Sequence, residues 1–350
     1  MYINRHIIWN VFFACLLLTL SFRGSAQQET SYIAGVDTNY IKTYPDQLPV
    51  RFFFSQKFTA IELGSSELVK NLRYRPNTTL NIGIGATYRM FTLNLAYGFP
   101  FMNQDKDKGE TKYLDLQSHI YPRNWTIDFN GQLYKGYFLF PRGFANADPD
   151  KFYVRPDVGV SLFGITLYNM FNGARFSYKA GMVQTEWQQK SSGTFLIGGE
   201  IYGGSFSGDS ALVPSMLKDQ YSQKDVEKIR FFELGPGGGY AYTLVIKKHF
   251  FIMGSLTVNF DVGYSREYYP DKTKDQWSLR PNLLYRGVVG YNSRLWNLNL
   301  SLVGNQVAVR GASSTDLYYF RTGNLRLTLA KRVTPGPKLK KRLNVFGPNQ

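Results

Sequence analysis

Thr79–Arg89 reads TLNIGIGATYR. Leu80, Ile82, Ile84, Ala86 and Tyr88 share one parity, and Asn81, Gly83, Gly85 and Thr87 share the other. Only an extended strand places residues i, i+2 and i+4 on one face. The same pattern returns along the rest of the chain, bulky apolar residues on one parity and Gly, Asn, Ser and Thr on the other. A sheet with lipid on one side and a polar lumen on the other requires this division. The fold class expected is therefore all-β: a transmembrane, antiparallel, up-and-down β-barrel in the cell outer membrane.

The first 26 residues fit a secretory signal. A basic start (Arg5, His6) precedes an apolar centre, Ile7–Leu20, and a small-residue exit at Gly24-Ser25-Ala26. The apolar centre is short for a membrane anchor. Cleavage after Ala26 is expected. Cys15, the single cysteine, lies inside this segment with apolar residues continuing after it, an unfavourable context for lipidation. The mature chain then has no disulfide, thiol nucleophile or cysteine-ligated metal.

Residues 1–26 carry two of the 41 basic residues and none of the 25 acidic ones, so the mature balance is +14. Secretion argues against nucleic acid as the partner. Anionic lipid headgroups, an anionic solute, or basic residues with no ligand role remain. Aromatic residues make up 16% of the chain, led by 27 Phe and 25 Tyr, as expected of barrels that set aromatic girdles at both membrane interfaces. Mean hydropathy of −0.27 is compatible with this, since half of each barrel strand is polar.

Residues 27–49 are polar and irregular, a periplasmic lead-in or small plug. The barrel is expected over 50–333, followed by a basic tail, 334–350. Strands are read at roughly 52–63, 79–88, 91–98, 112–121, 124–135, 156–169, 175–185, 193–205, 231–246, 250–264, 278–292, 295–308 and 317–331. Tight junctions alternate with longer loops at 99–111, 136–153, 206–229 and 265–277. Thirteen strands is an odd number, whereas closed barrels of this kind have an even one. The alternation of turns and loops slips between Arg175 and Arg230, so one segment there, or the first strand, is surplus. Twelve strands are expected, with fourteen as the alternative.

Four stretches carry a resemblance: DTNYIKTYPDQLPVRFFFSQKFT (Asp37–Thr59), LRYRPNTTLNIGIGATYRMFTLNLAYGF (Leu72–Phe99), KYLDLQSHIYPRNWTIDFNGQLYKGYF (Lys112–Phe138) and FRTGNLRLTLAKR (Phe320–Arg332). Together they resemble an uncharacterised outer-membrane β-barrel family of Bacteroidota, domain of unknown function 4421. The resemblance covers nearly the whole mature chain. It implies the barrel fold and the compartment, and it brings no activity, substrate or site residues. In many such barrels the last strand ends the protein on an aromatic residue read by the barrel-assembly machinery. Here a basic tail follows Val333, so the assembly signal is expected to be internal.

The most polar inward ladder is Asp115, Gln117 and His119, against outward Leu114, Leu116 and Ile120. The next strand adds Asp128, Asn130 and Gln132. By the same parity Lys179, Glu200, Glu233, Asp261, Arg286 and Arg326 face the lumen. Small barrels fill their interiors with side chains, so polar packing is the first reading of this set and ligand binding the second. An enzymatic reading rests on His119 alone. A lipid hydrolase needs a nucleophile, a base and an orienting group in reach of one another. Ser118 projects to the opposite face, and His249 sits in a tight turn after Lys247-Lys248.

GPGGG at Gly235–Gly239 leads into a strand and not a helix, so it marks a bend or makes room for a bulky lumen neighbour. No metal or other cofactor is expected, since no His/Cys/carboxylate cluster has ligand spacing. Asp209-Ser210-Ala211 resembles a bacterial O-glycosylation acceptor at Ser210. The basic run Lys338–Arg342 is a solvated tail or an anionic contact. Three functions stay open: a structural or solute-passing barrel, a lipid or lipopolysaccharide hydrolase using His119, and surface binding through loops 136–153 and 206–229. The partners expected are outer-membrane lipid, lipopolysaccharide and the assembly machinery.

Overall fold

The computed structural model describes residues 35–343 except 65–70, 89–90, 100–104 and 313–315. The expected signal segment with Cys15, and the tail beyond 343, lie outside the described residues. Within the unit Val36–Pro335, β1 (Ile41–Thr43) pairs with β9 (Glu186–Gln188) in a two-stranded sheet. All other strands belong to one antiparallel sheet: β2 (Leu48–Leu63), β3 (Leu72–Arg75), β4 (Asn81–Tyr88), β5 (Phe91–Gly98), β6 (Lys112–Ile120), β7 (Trp125–Phe140), β8 (Val154–Met170), β10 (Ser192–Ser207), β11 (Lys228–Ile246), β12 (Phe250–Tyr268), β13 (Thr273–Asn292), β14 (Trp296–Arg310) and β15 (Leu317–Val333).

The sheet closes. β15 pairs with β2 along its whole length, from Tyr318 opposite Leu63 to Val333 opposite Leu48. The closed ring contains ten strands: β2, β3, β7, β8 and β10 to β15. This differs from the expected twelve for two reasons. The first is β3, whose four residues are too short to read by alternation; it bridges Ile61–Leu63 of β2 to Phe138–Phe140 of β7. The second is that β4, β5 and β6 lie off the ring. Nearer the other end of the wall β2 continues into the hairpin β4–β5, and β7 pairs with β6. No ladder joins β5 to β6 among the described residues.

The surplus strand was at 175–185. Phe176, Tyr178, Ala180 and Met182 alternate there, which imitates a strand. In the structure Tyr178–Met182 is a short helix, α1, capped by the Ser177 hydroxyl, which accepts from the Ala180 amide at 3.1 Å. Phe176 and Tyr178 are buried against lumen-facing side chains such as Met253 and Val288, and Ala180 is buried as well. A segment packed inside a barrel is covered on most sides, so its alternation does not report sheet parity. Lys179 is accordingly a half-buried helix residue, not a strand residue facing the lumen. Residues 265–277, expected as a loop, are mostly strand: β12 and β13 run on as a hairpin past β14 and turn only at 269–272. Likewise β7 extends through Phe140, into the expected loop 136–153.

The wall obeys the two-faced division. Along β12 the outward series Phe250, Ile252, Leu256, Phe260 and Val262 is exposed, and the inward series Phe251, Met253, Ser255, Thr257, Asn259 and Asp261 is buried. Phe250 to Val262 spans roughly 30 Å at the usual strand rise and barrel tilt, close to a hydrocarbon core. Gly235, Gly237 and Gly239 of β11 lie on the inward parity. A Cβ on Gly237 would fall 1.7 Å from Asn259 Oδ1, and one on Gly235 would fall 2.3 Å from Asp261 Oδ1. The glycine run is thus the space that lets β12 present its polar side chains inward.

The lumen is filled in layers. Toward the long loops an apolar core holds Tyr74, Tyr137, Tyr202, Phe206 and Phe320, and loop residues Leu212, Val213, Tyr221 and Val226 pack into it. Polar side chains occupy the middle. At the end with the short turns, the segment 171–191 forms a cork. Arg332 fixes it, donating to the carbonyls of Gln184 at 2.7 Å and Glu186 at 2.9 Å. The lead-in residues Ile41–Thr43 add a strand to the cork through β1–β9. In the separate unit, described over Gly35 and 336–343, Pro337–Leu343 is a helix, α2.

Two outcomes follow from the lipid face and the cork. Leu256→Arg places a charge near mid-bilayer and is expected to destabilise the barrel by roughly 2–4 kcal/mol relative to Leu256→Ala. Urea titration followed by the heat-modifiable gel shift measures it. Arg332→Ala removes charge-assisted hydrogen bonds to the cork. It is expected to make residues 171–191 cleavable by protease in a barrel that still migrates as folded.

Candidate functional site

Strand parity brings the polar residues into three groups. The first is centred on Asp128, which is almost fully buried on β7. Its Oδ1 accepts from His119 Nδ1 at 2.6 Å, and its Oδ2 accepts from Thr166 at 2.8 Å and from the Arg286 guanidinium. Arg286 is completely buried and lies 5.3 Å over the Tyr178 ring of the cork. Beside this group Asp115 accepts from Lys57 Nζ at 3.3 Å, Tyr134 OH at 2.7 Å and Gln117 at 3.4 Å. Each carboxylate here has a cation.

The second group is acidic. Glu233 and Asp261 both accept from the Asn282 amide, at 2.9 and 2.8 Å, and Glu200 accepts from Asn259 at 2.8 Å. Asn259 is held in turn by Tyr168 OH at 2.7 Å. Asn130 and Gln132 are buried nearby in the wall; Asn130 Nδ2 is 3.5 Å from Tyr202 OH. Asparagine amides take the place of cations in this group. Its side chains are buried, with Glu200 Oε1, Asp261 Oδ1 and both amide atoms of Gln132 unpartnered among the described residues.

The third group lines a cavity of about 260 Å³ just above the cork, well beyond the 10–15 Å³ or so that one water requires. Its basic side chains are Arg51 and Lys57 from β2, His119 from β6 and Arg326 from β15. Ser301, Asn324 and Thr328 form the back wall, and Met182 and Val183 of the cork form the floor. Lys57 is matched by Asp115 and His119 by Asp128. Arg51 and Arg326 have no carboxylate partner among the described residues. Arg51 is only 3% exposed; it donates to Thr87, to the Val183 carbonyl at 3.1 Å and to Asn94 at 3.5 Å. The Arg326 guanidinium stacks on the Phe53 ring at 4.5 Å. His119 Nε2, Tyr121 OH, Asn324 Oδ1 and Arg326 Nε are buried with no hydrogen-bond partner among the described residues. Unpaired polar atoms of this kind are costly and call for an occupant.

Among the residues singled out from sequence, Gln117, His119 and Arg326 line this cavity. Asp115 and Asp128 stand directly behind it as counter-charges. Glu200, Glu233 and Asp261 lie in the separate acidic layer. Arg286 belongs to the ion pair beneath. Lys179 sits on the cork helix, where burial lowers its ammonium pKa from the ordinary lysine value. Ser210 is an exposed loop residue whose hydroxyl accepts from Arg155 at 3.1 Å. Sequence reasoning missed Arg51 and Lys57. In VRFFFSQKF the inward Phe53 breaks the apolar/polar rhythm. The usable signal was that a charged residue inside a spanning strand turns away from lipid.

The family model for a domain of unknown function (DUF4421) matches residues 35–332, and the chain belongs to that family. No curated protein matches the chain. Among solved structures, similarity is found to OmpT expressed in the outer membrane of Vibrio cholerae, at 9% identity and a TM-score of 0.27, covering 84% of this chain and 100% of that one. It is also found to the Pseudomonas putida toluene transporter TodX, at 7% identity and a TM-score of 0.22 over 88% of this chain and 94% of that one. The attachment invasion locus protein Ail of Yersinia pestis is matched at 8% identity and a TM-score of 0.16, over 83% and 100%. At these scores the likeness extends to no shared site.

The ion pair gives a direct test of which polar residues hold the fold. Asp128→Ala leaves Arg286 buried without its counter-charge and is expected to cost about 3–5 kcal/mol of stability. Replacing both partners by apolar residues, Asp128→Leu with Arg286→Met, is expected to recover most of that loss in the same urea titration.

Proposed function

We propose that this member of the DUF4421 family is an outer-membrane barrel that does not conduct, and that holds an anionic solute group in the cavity above its cork. The observation that carries the reading is the pair Arg51 and Arg326. Two guanidinium groups of neighbouring strands line one cavity, and neither has a carboxylate partner among the described residues. Like charges in a low-dielectric lumen are costly unless an anion lies between them. The alternation of lipid-facing and lumen-facing residues supports the outer membrane as the compartment, with the short turns and cork on the periplasmic side and lipopolysaccharide around the loop end. Folding there makes the barrel-assembly machinery a partner. Passage of solute is disfavoured by the apolar core at one end and the cork at the other.

The hydrolase reading has one point in its favour: His119 is oriented by Asp128 at 2.6 Å, as a base would be. It lacks a nucleophile, since Nε2 meets no hydroxyl among the described residues. The loop-binding reading is weakened by loop 206–229, where Leu212, Val213, Tyr221 and Val226 are buried in the barrel mouth, although Met216 is exposed.

The purified protein is expected to give background conductance in planar bilayers. It is also expected to bind inorganic phosphate, with affinity reduced about tenfold by Arg326→Gln, the usual scale of one charge-assisted hydrogen bond. Steady single-channel currents, or phosphate binding indifferent to Arg326, would count against the reading. Fatty-acid release from phospholipid that disappears in His119→Ala would replace it with the hydrolase.

A further inference from the structure

The cavity does not lie wholly inside the wall. Thr92 and Asn94 of β5, which share the lumen parity but are themselves exposed, and the half-buried Gln117 and His119 of β6 line it. Leu93 and Ser118 line it too, and these are the outward, exposed residues of the same two strands. A cavity bounded by both parities of two neighbouring strands passes between them. This is where β5 and β6 share no ladder among the described residues.

A strand edge in hydrocarbon is a physical problem. Each unpaired N–H or C=O there costs several kcal/mol, which is why spanning sheets close. Elsewhere this sheet does close. At the gap, two edges need polar groups that the wall does not provide. The outer rim of the gap is greasy: Leu93 and Leu95 on one side and Leu114 and Leu116 on the other are all exposed. Behind the rim, toward the lumen, lie the unmatched Arg51 and Arg326.

We infer that the gap between β5 and β6 is a lateral port, and that its occupant is an anionic membrane lipid. Its acyl chains lie on the leucine rim, and its phosphate reaches between the strands to Arg51 and Arg326. The phosphate oxygens accept from the guanidinium groups and from free edge amides, so one ligand satisfies the excess charge and the unpaired backbone together. An extended peptide would satisfy the edges but leaves the arginines unmatched unless it is acidic, and it does not use the leucine rim. The inference rests on the anion-holding reading above and adds the ligand's class and its way in.

The test is native mass spectrometry of the delipidated, folded protein. It is offered dimyristoyl phosphatidylglycerol, phosphatidylcholine with the same chains, or inorganic phosphate. Wild type is expected to retain phosphatidylglycerol about tenfold more strongly than phosphatidylcholine, and Arg326→Gln to remove that preference. Ser118→Trp, or Leu93→Trp if the first variant does not fold, is expected to obstruct the port. Either variant should lower phosphatidylglycerol retention in a barrel that still shows the folded gel shift. Equal retention of the two lipids, or retention unmoved by the port variants, overturns the inference. A bound polypeptide mass in place of lipid overturns it as well. Arg326-dependent phosphate binding without lipid retention overturns the port alone and leaves the anion-holding barrel standing. Loss of both phosphate and lipid binding in wild type removes both.

Discussion

A sheet that spans a bilayer must satisfy its own backbone hydrogen bonds, and on the membrane-spanning reading proposed above most of this structure follows from that requirement. A sheet meets it by closing, and the pairing of β15 with β2 from end to end is what closes this one. Closure fixes which parity faces lipid. That in turn fixes the outward leucines and phenylalanines, the inward polar residues, and the glycines of β11 that make room for them. The requirement is relaxed in one place, where β3 carries the ring across from β2 to β7 and β5 and β6, which line one cavity, share no ladder among the described residues.

Inside, the same accounting separates filling from site. Asp128 binds Arg286, His119 and Thr166 at once, and Asn282 ties Glu233 to Asp261. Most polar atoms of these groups find partners within the protein, although Glu200 Oε1, Asp261 Oδ1 and Arg286 Nε and Nη1 have none among the described residues; what sets the groups apart is that their charges are matched or bridged by amides. Arg51 and Arg326 find no counter-charge among the described residues, although acidic residues lie a few strands away. A pair of cations without counter-charge beside a strand edge unpaired among the described residues is the feature on which the proposal of a bound anion rests.

Much of the fold was legible because lipid imposes a strict period of two. Leu80-Asn81-Ile82-Gly83 announces a strand whatever its neighbours do. The parity of Asp115, Gln117 and His119 followed from Leu114 and Leu116 in the same way. What the period did not convey was anything inside the lumen. Phe176, Ser177, Tyr178 and Lys179 alternate as a strand would, yet they fold as a capped helix in the cork, where burial comes from all sides. Phe53 is aromatic but faces inward under Arg326, which disguised Arg51 and Lys57 in the same run. Nor did the period reveal which strands pair. Four residues of β3 redirect the ring, and the resulting gap depends on a three-dimensional contact between Leu72–Arg75 and Phe138–Phe140 that no local pattern encodes.

The central claim is that the wall is open between β5 and β6, and hydrogen exchange resolved by residue measures it most directly. In delipidated, detergent-held protein, alternate amides of Thr92–Gly98 and Leu114–Ile120, those not bonded to β4 or β7, are expected to exchange early. The amides of Leu256–Val262 on β12, paired on both sides, are expected to stay protected as long as the barrel is folded. Uniform slow exchange along β5 and β6, matching β12, would mean that the two strands are sealed to each other. It would contradict the account.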